Sequence, residues 1–283
     1  MQQKKSINRQ EHFSYTELLE FLRMKKDGNV NNLQAFKYKD HLENCMACWF
    51  SWNKARWDEA KESRGLKELK IYLGKKFIHY FDSSWAIAAK WNEMKPETDE
   101  EIAHFYKIAD EYLYNLVIWH ESGDRECFSK QLRRLTKEFN IKSVIDFGCG
   151  VGTDGLWLLE NNFEVNFVDF HCPSIEFLRW RMKKRRLKAE ISDIQTLDKL
   201  PDKDMFWAID VLEHVPDPLS IVSKLSENTK LFVHRSQFNN TSSGRHPCHI
   251  SFNEIRLSRA LKKRGFMHVP WNQLSVWVKK QKV

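Results

Sequence analysis

The stretch Val144-Ile145-Asp146-Phe147-Gly148-Cys149-Gly150-Val151-Gly152-Thr153-Asp154-Gly155 decides the fold of this chain. A buried apolar strand runs into an acid, then into alternate glycines, then into a predicted helix from Leu156 to Glu160. Glycines at alternate positions let a backbone approach a ligand closely, because no Cβ intervenes and positive φ angles cost little. The helix that follows offers unpaired N–H groups at its start. Such a loop suits a nucleotide-like or amino-acid-bearing cofactor.

Two cofactor classes compete for it. Gly150, Gly152 and Gly155 satisfy the dinucleotide spacing G-x-G-x-x-G, with Asp169 placed for a ribose. The register from Asp146, through Gly148, Gly150 and Gly152, reads D-x-G-x-G-x-G. That pattern resembles motif I of the class I S-adenosylmethionine-dependent methyltransferases, whose cofactor carries no phosphate. A pyrophosphate would be poorly served by a carboxylate so close to the loop, since like charges repel in a low-dielectric site. The resemblance implies that Asp146 lies near the methionine end of the cofactor. It also implies that Asp169, followed by Phe170, grips both ribose hydroxyls.

Working outward, the segments keep the order that the resemblance requires. Glu164 to Asp169 is a short strand ending in an acid, and Ser174 to Leu187 reads as a helix with Ile175, Leu178 and Met182 on one face. Glu190 to Ile194 resembles the third strand, with Asp193 and Ile194 beside the adenine. Met205 to Val215 resembles the fourth strand and its loop, which brings Asp210 to the cofactor. Leu231 to His234 would be strand five. Asn253 to Lys263 reads as a helix closed by Gly265, and Met267–Val269 with Ser275–Val278 reads as a final antiparallel pair. Strand alternating with helix implies a parallel sheet flanked by helices, with ligands beyond the strand C-termini where strand order reverses. The expected class is α/β: a Rossmann-like, seven-stranded methyltransferase sheet at residues 127–283 and an N-terminal all-helical domain.

Composition bounds the rest. A chain of 283 residues holds one large or two modest domains. No apolar run approaches a membrane span, and Met1-Gln2-Gln3-Lys4-Lys5 lacks a signal-peptide core. Six cysteines without a regular framework point to a reducing cytoplasm. The net charge of +8 is partly concentrated in Arg179 to Lys188. That run would attract RNA or an acidic partner; the expectation is a solvated helix face.

Residues 1–97 read as a helical cap, with helices at Thr16–Lys26, His41–Ser63, Leu66–Phe81 and Ser84–Glu93. Thr98 to His120 reads as a helix within a linking segment, 98–126, behind a hinge at Pro96–Asp99. Tryptophans such as Trp49, Trp52, Trp57 and Trp119 at helical spacing indicate packing between helices; a minority would face the cofactor cleft. His41, Cys45 and Cys48 form H-x-x-x-C-x-x-C, expected on one face of a helix. Two thiolates and an imidazole suit zinc, which takes four tetrahedral ligands. The pattern resembles the zinc-binding helix of anti-sigma factors, which implies an upstream fourth ligand, here His12. The alternative is that Cys45 and Cys48 are buried as small apolar groups.

Asp210-Val211-Leu212-Glu213-His214 resembles the E-x-x-E-H segment of ubiquinone-pathway O-methyltransferases and of the enzymes that methylate the 2′-hydroxyl of small-RNA ends. In both, carboxylates and histidine can hold a divalent cation; the RNA enzymes use a later histidine as well, which the resemblance equates with His249 here. Without metal, Glu213 caps a loop and His214 or His249 acts as the base. His234 and Arg235 are further candidates, Arg235 for a substrate carboxylate or phosphate. The expected activity is O- or N-methylation of a small molecule beneath a helical cap. The alternatives are a metal-assisted RNA 2′-O-methyltransferase, a peptide-modifying enzyme, and a zinc-containing regulatory module with a vestigial methyltransferase fold.

Overall fold

The structure, a computed structural model, describes residues 12–30, 37–38, 40–42, 44–79, 83–238 and 247–280. The expectation for Met1–Lys5 falls outside the described residues. The helix expected over Leu66–Phe81 ends earlier, at Leu73, where Gly74 takes a φ of +53° and opens a single 3-10 turn, Gly74–Lys76, before Phe77 extends. The helices before the sheet include α1 Tyr15–Asp27, α2 Met46–Ala60, α3 Arg64–Leu73, α4 Ser83–Met94, α5 Asp99–Ile108, α6 Glu111–Glu121 and α7 Glu126–Glu138. Local chemistry sets several of their ends. Ser14 and Glu17 form a capping box at α1, which stops at Gly28 in the left-handed region. Thr98 and Glu101 do the same at α5, with three acids in its first turn facing the helix dipole.

Two predicted helices are broken. His41–Ser63 is not continuous: Cys45 is extended (φ −124°, ψ 107°) and caps α2, its Sγ accepting from the Cys48 N–H. The motif therefore straddles a helix start instead of lying on one helix face. Thr98–His120 breaks at Ala109, whose ψ of 87° leaves the helical region. The break lets α5 pack Phe105 against Ile87 while α6 turns Leu113, Val117 and Ile118 onto Leu66 and Leu69 of α3.

The second half alternates strand and helix except at β3–β4 and β6–β7: β1 Ser143–Phe147, α8 Thr153–Glu160, β2 Glu164–Asp169, α9 Pro173–Arg185, β3 Glu190–Asp193, β4 Met205–Ile209, α10 Pro218–Lys224, β5 Leu231–Arg235, α11 Glu254–Lys263, β6 Phe266–Val269 and β7 Ser275–Lys279. The sheet order is β3-β2-β1-β4-β5-β7-β6, parallel except for β7. Each central strand buries nearly every side chain, as a sheet covered on both faces demands. The chain runs outward from β1 to β3, then returns to place β4 on the other side of β1. The crevice for a ligand accordingly lies beyond the tips of β1 and β4.

The two halves share one core. Leu66, Leu69, Leu113 and Val117 pack in one cluster with Val151 of the glycine loop and Phe177 of α9. An ion cluster reinforces the seam. Arg181 and Arg185 of α9 are buried and both bind Glu68 of α3, at 2.8 and 2.6 Å. The run Arg179–Lys188 is therefore not simply a solvated face: a helix packed on both sheet and cap must turn some of its cations inward, and these two find a carboxylate. Removing one partner of such a buried pair costs about 3–5 kcal/mol. Among the described residues no helix is long and apolar enough to cross a membrane.

Candidate active site

The glycine loop is shaped by two carboxylates. Asp146, at the end of β1, is buried and its Oδ2 accepts from the Gly155 N–H at 3.0 Å. Asp169, at the tip of β2, accepts from the N–H groups of Gly150 and Phe170, each at 2.7 Å. The Gly148 N–H donates to the Val168 carbonyl at 2.8 Å, tying the loop to β2. Gly148 and Gly150 hold φ of +64° and +52°, a region that strains any side chain with a Cβ. A Cβ on Gly150 would also come within 2.6 Å of Leu116 Cδ1, so α6 lies directly over the loop.

Burial pushes Asp169 up to about 6. Burial and the like charge of Asp154 push Asp146 up to about 7. Sequence reasoning missed Asp154: it is buried and receives Arg125 at 2.7 Å, Trp207 Nε1 at 2.7 Å and Ser129 Oγ at 2.9 Å. Both Asp169 oxygens bind the backbone, where a grip on ribose was expected. Each carboxylate oxygen keeps a second lone pair for a hydroxyl. Phe170 lies parallel to Tyr106 at 6.2 Å. At the tip of β3, Asp193 accepts from the Gln195 N–H, and the Ile194 N–H donates to the Asp169 carbonyl. Asp210, after β4, has a φ of +55° and gives its carboxylate to Arg235.

A cavity of about 600 Å³ has walls from both halves: Phe21, Trp49 and Trp52 on one side, His214, Cys248 and His249 on the other. A second space of about 50 Å³ sits behind the glycine loop against Asp146, Gly148 and Thr153. Leu116, Trp119 and Asp210 line both. His214 Nδ1 lies 2.8 Å from the Tyr106 hydroxyl and 3.2 Å from the Cys248 carbonyl oxygen, and its ring meets His249 edge-on at 4.8 Å. Glu213 is fully buried behind them. Its Oε1 accepts from the Gln237 N–H, and its Oε2 has no hydrogen-bond partner among the described residues.

Burial pushes Glu213 up to about 7, with Asp210 adding to the shift. Burial lowers His214, but Cys248 and Glu213 outweigh it and hold the imidazole at about 9. Ligand atoms of Glu213, His214 and His249 lie within 4.8 Å of one another. Asp210 is not in that group; Arg235 occupies the acid that the E-x-x-E-H resemblance offers first. The same ion pair commits Arg235, expected for a substrate anion. His234 does not reach the cavity: it is buried against Ser236 Oγ at 3.1 Å, and burial lowers it to about 3.

In the helical half, four side chains converge. His12 Nδ1 stands 3.2 Å from Cys45 Sγ and 3.8 Å from Cys48 Sγ, and His41 Nε2 stands 3.1 Å from Cys48 Sγ. All four ligand atoms lie within 4.8 Å of one another. Bringing Phe13 to this point also lets its N–H donate to Cys48 Sγ.

The profile of a family described as a methyltransferase domain matches residues 145–230, from β1 to the turn before β5. The matched segment is about a third of the chain and contains the glycine loop. The seven-stranded sheet around it is the Rossmann-like sheet of class I S-adenosylmethionine-dependent methyltransferases. Two curated relatives are ubiquinone biosynthesis O-methyltransferases. That of Idiomarina loihiensis is 28% identical over 150 residues, 49% of this chain and 59% of the relative. That of Histophilus somni is 25% identical over 138 residues, 44% of this chain and 56% of the relative. The match thus spans less than two thirds of either relative's length. Among solved structures, the magnesium protoporphyrin IX methyltransferase of Synechocystis, with bound S-adenosylmethionine, is 13% identical over 71% of this chain and 94% of that one, at a TM-score of 0.44.

The methyltransferase domain supplies a test of its own electrostatics. Asp169 is ionised above about pH 6 and protonated below. Only the ionised form offers every oxygen lone pair to a ribose hydroxyl. Affinity for S-adenosylhomocysteine should therefore hold at higher pH and fall about tenfold from about pH 7 to about pH 5, as one proton is taken up. Calorimetry across that range measures it. A flat profile would remove Asp169 from the cofactor's binding site.

Proposed function

We propose that this chain transfers a methyl group from S-adenosylmethionine to an oxygen or nitrogen of a small molecule held under the helical half. One observation carries the reading: the 600 Å³ cavity bearing His214 and His249 shares Leu116, Trp119 and Asp210 with the space behind the glycine loop. The names of the curated relatives support oxygen as the acceptor atom. When bound, the cofactor supplies an electrophilic methyl on a sulfonium, already activated. The protein's task is then mainly to align the acceptor and exclude water.

The residues divide that task. Asp146 and the glycine loop receive the methionine end, Asp169 and Phe170 the ribose, and Asp193 and Ile194 the adenine. Leu116 moves off Gly150 as the cofactor enters, because the space behind the loop is too small for the whole molecule. His249 faces the cavity and takes the acceptor's proton. His214 keeps its own proton at neutral pH and orients the acceptor, braced by Tyr106 and by Glu213 behind it. A divalent cation on Glu213, His214 and His249 is the second reading, favoured by their convergence and by the unpaired Glu213 oxygen. It lacks Asp210 as a ligand.

The same reading gives the helical half a structural zinc ion on His12, His41, Cys45 and Cys48. The donor set is two nitrogens and two sulfurs, which matches tetrahedral zinc. The ion would pin the segment before α1 to the start of α2, and so fix Phe21, Trp49 and Trp52 in the cavity wall.

Two experiments test this. Labelled cofactor incubated with separate metabolite, peptide and RNA fractions should place label in the metabolite fraction, with His249→Ala lowering the rate at least about a hundredfold. Label confined to RNA would overturn the substrate class and favour the metal-assisted reading. Metal analysis of protein prepared without chelator should find one zinc per chain, lost in Cys45→Ser and Cys48→Ser. Protein without zinc would end the structural-metal assignment.

A further inference from the structure

The wall that α2 lends to the cavity contains a cation with few partners among the described residues. Arg56 is buried, only 6% exposed, and lines the cavity. A guanidinium carries five N–H donors. Among the described residues the Arg56 Nε makes no hydrogen bond and stands 3.6 Å from Asp124 Oδ2, while Nη1 makes one long contact, 3.4 Å, to Asn53 Oδ1. Asp124 is already held closely by Lys25. Asp210, the other acid on the cavity wall, is held by Arg235. Four basic side chains (Lys25, Arg56, Lys130 and Arg235) thus face two acids, and each acid has a nearer cation than Arg56. Burying a charge without a matching partner is costly unless something else pairs with it. The same cavity is lined by the aromatic side chains of Phe21, Trp52, Trp119 and Phe128.

Resting on the methyl-transfer reading above, we propose that the acceptor is a planar aromatic acid, its anionic group bound by the Arg56 guanidinium and its ring held between the tryptophans. An anion completes the donors that the fold leaves unused, in the planar geometry that arginine offers to carboxylates. Flat apolar walls select the ring. The helical half would then do more than close the site: it would choose the substrate.

Two fluorescent probes of one ring system test this on the full chain, saturated with S-adenosylhomocysteine. 8-Anilinonaphthalene-1-sulfonate carries a negative charge; N-phenyl-1-naphthylamine lacks it. The sulfonate should bind saturably, one per chain, at least about tenfold more tightly than the neutral amine. Arg56→Gln should remove that preference and leave the amine's affinity and that of S-adenosylhomocysteine unchanged. Arg56→Lys, which keeps the charge but not the planar fork, should retain part of it. Equal affinity of the two probes, absence of sulfonate binding, or an Arg56→Gln variant that keeps the preference would each overturn the proposal. Failure of the chain to bind S-adenosylhomocysteine at all would instead strike the methyl-transfer reading, and is seen before either probe is added.

Discussion

The buried guanidinium of Arg181 is the point on which the rest of the site depends. Its Nε donates to Glu68 of α3 at 2.8 Å and its Nη1 to the Val151 carbonyl at 2.8 Å. One side chain on α9 thus ties the helical half to the glycine loop of the sheet half. A loop of glycines has little steric reason to hold one shape. Here Arg181 fixes its middle, Asp169 its start and Asp146 its end. Because Arg181 is almost fully buried, its charge depends on Glu68 and, at 3.8 Å, on Glu121.

From that tie follows the placement of everything else. α3 carries α6 against it, and α6 lays Leu116 and Trp119 across the loop at the boundary between the two cavities. α7 then enters the main core through Phe128, Leu132 and Leu135. The helical half is therefore built into the sheet half, in contrast to a lid resting on a finished domain. The reversal of strand order between β1 and β4 opens the crevice, and the helices decide how much of it is left.

Legibility in the sequence followed distance along the chain. The glycine loop, the acids at the tips of β2 and β3, and all seven strands were readable, because periodicity and motif spacing are local properties. His41, Cys45 and Cys48 were readable for a similar reason, their short spacing, whereas His12, 33 residues before Cys45, came only from the resemblance to anti-sigma factors. What escaped notice was made by partners far apart. Glu68 meets Arg181 across 113 residues and Tyr106 meets His214 across 108. Arg56 looked like one more cation on a helix until the fold surrounded it. The break at Cys45 escaped because helical periodicity continues through it, while the contact with His12 draws that residue inward. Arg235 and Asp210 lie 25 residues apart, and their pairing is a contact that neither residue's local sequence shows.

The central claim is that the loop from Asp146 to Gly155 holds S-adenosylmethionine and not a dinucleotide. Calorimetric titration of the full chain with S-adenosylhomocysteine and, separately, with NAD tests it most directly. The account predicts saturable one-to-one binding of S-adenosylhomocysteine, lost in Asp169→Ala, and no heat from NAD. Binding of NAD in preference would contradict it and make the loop a dinucleotide site.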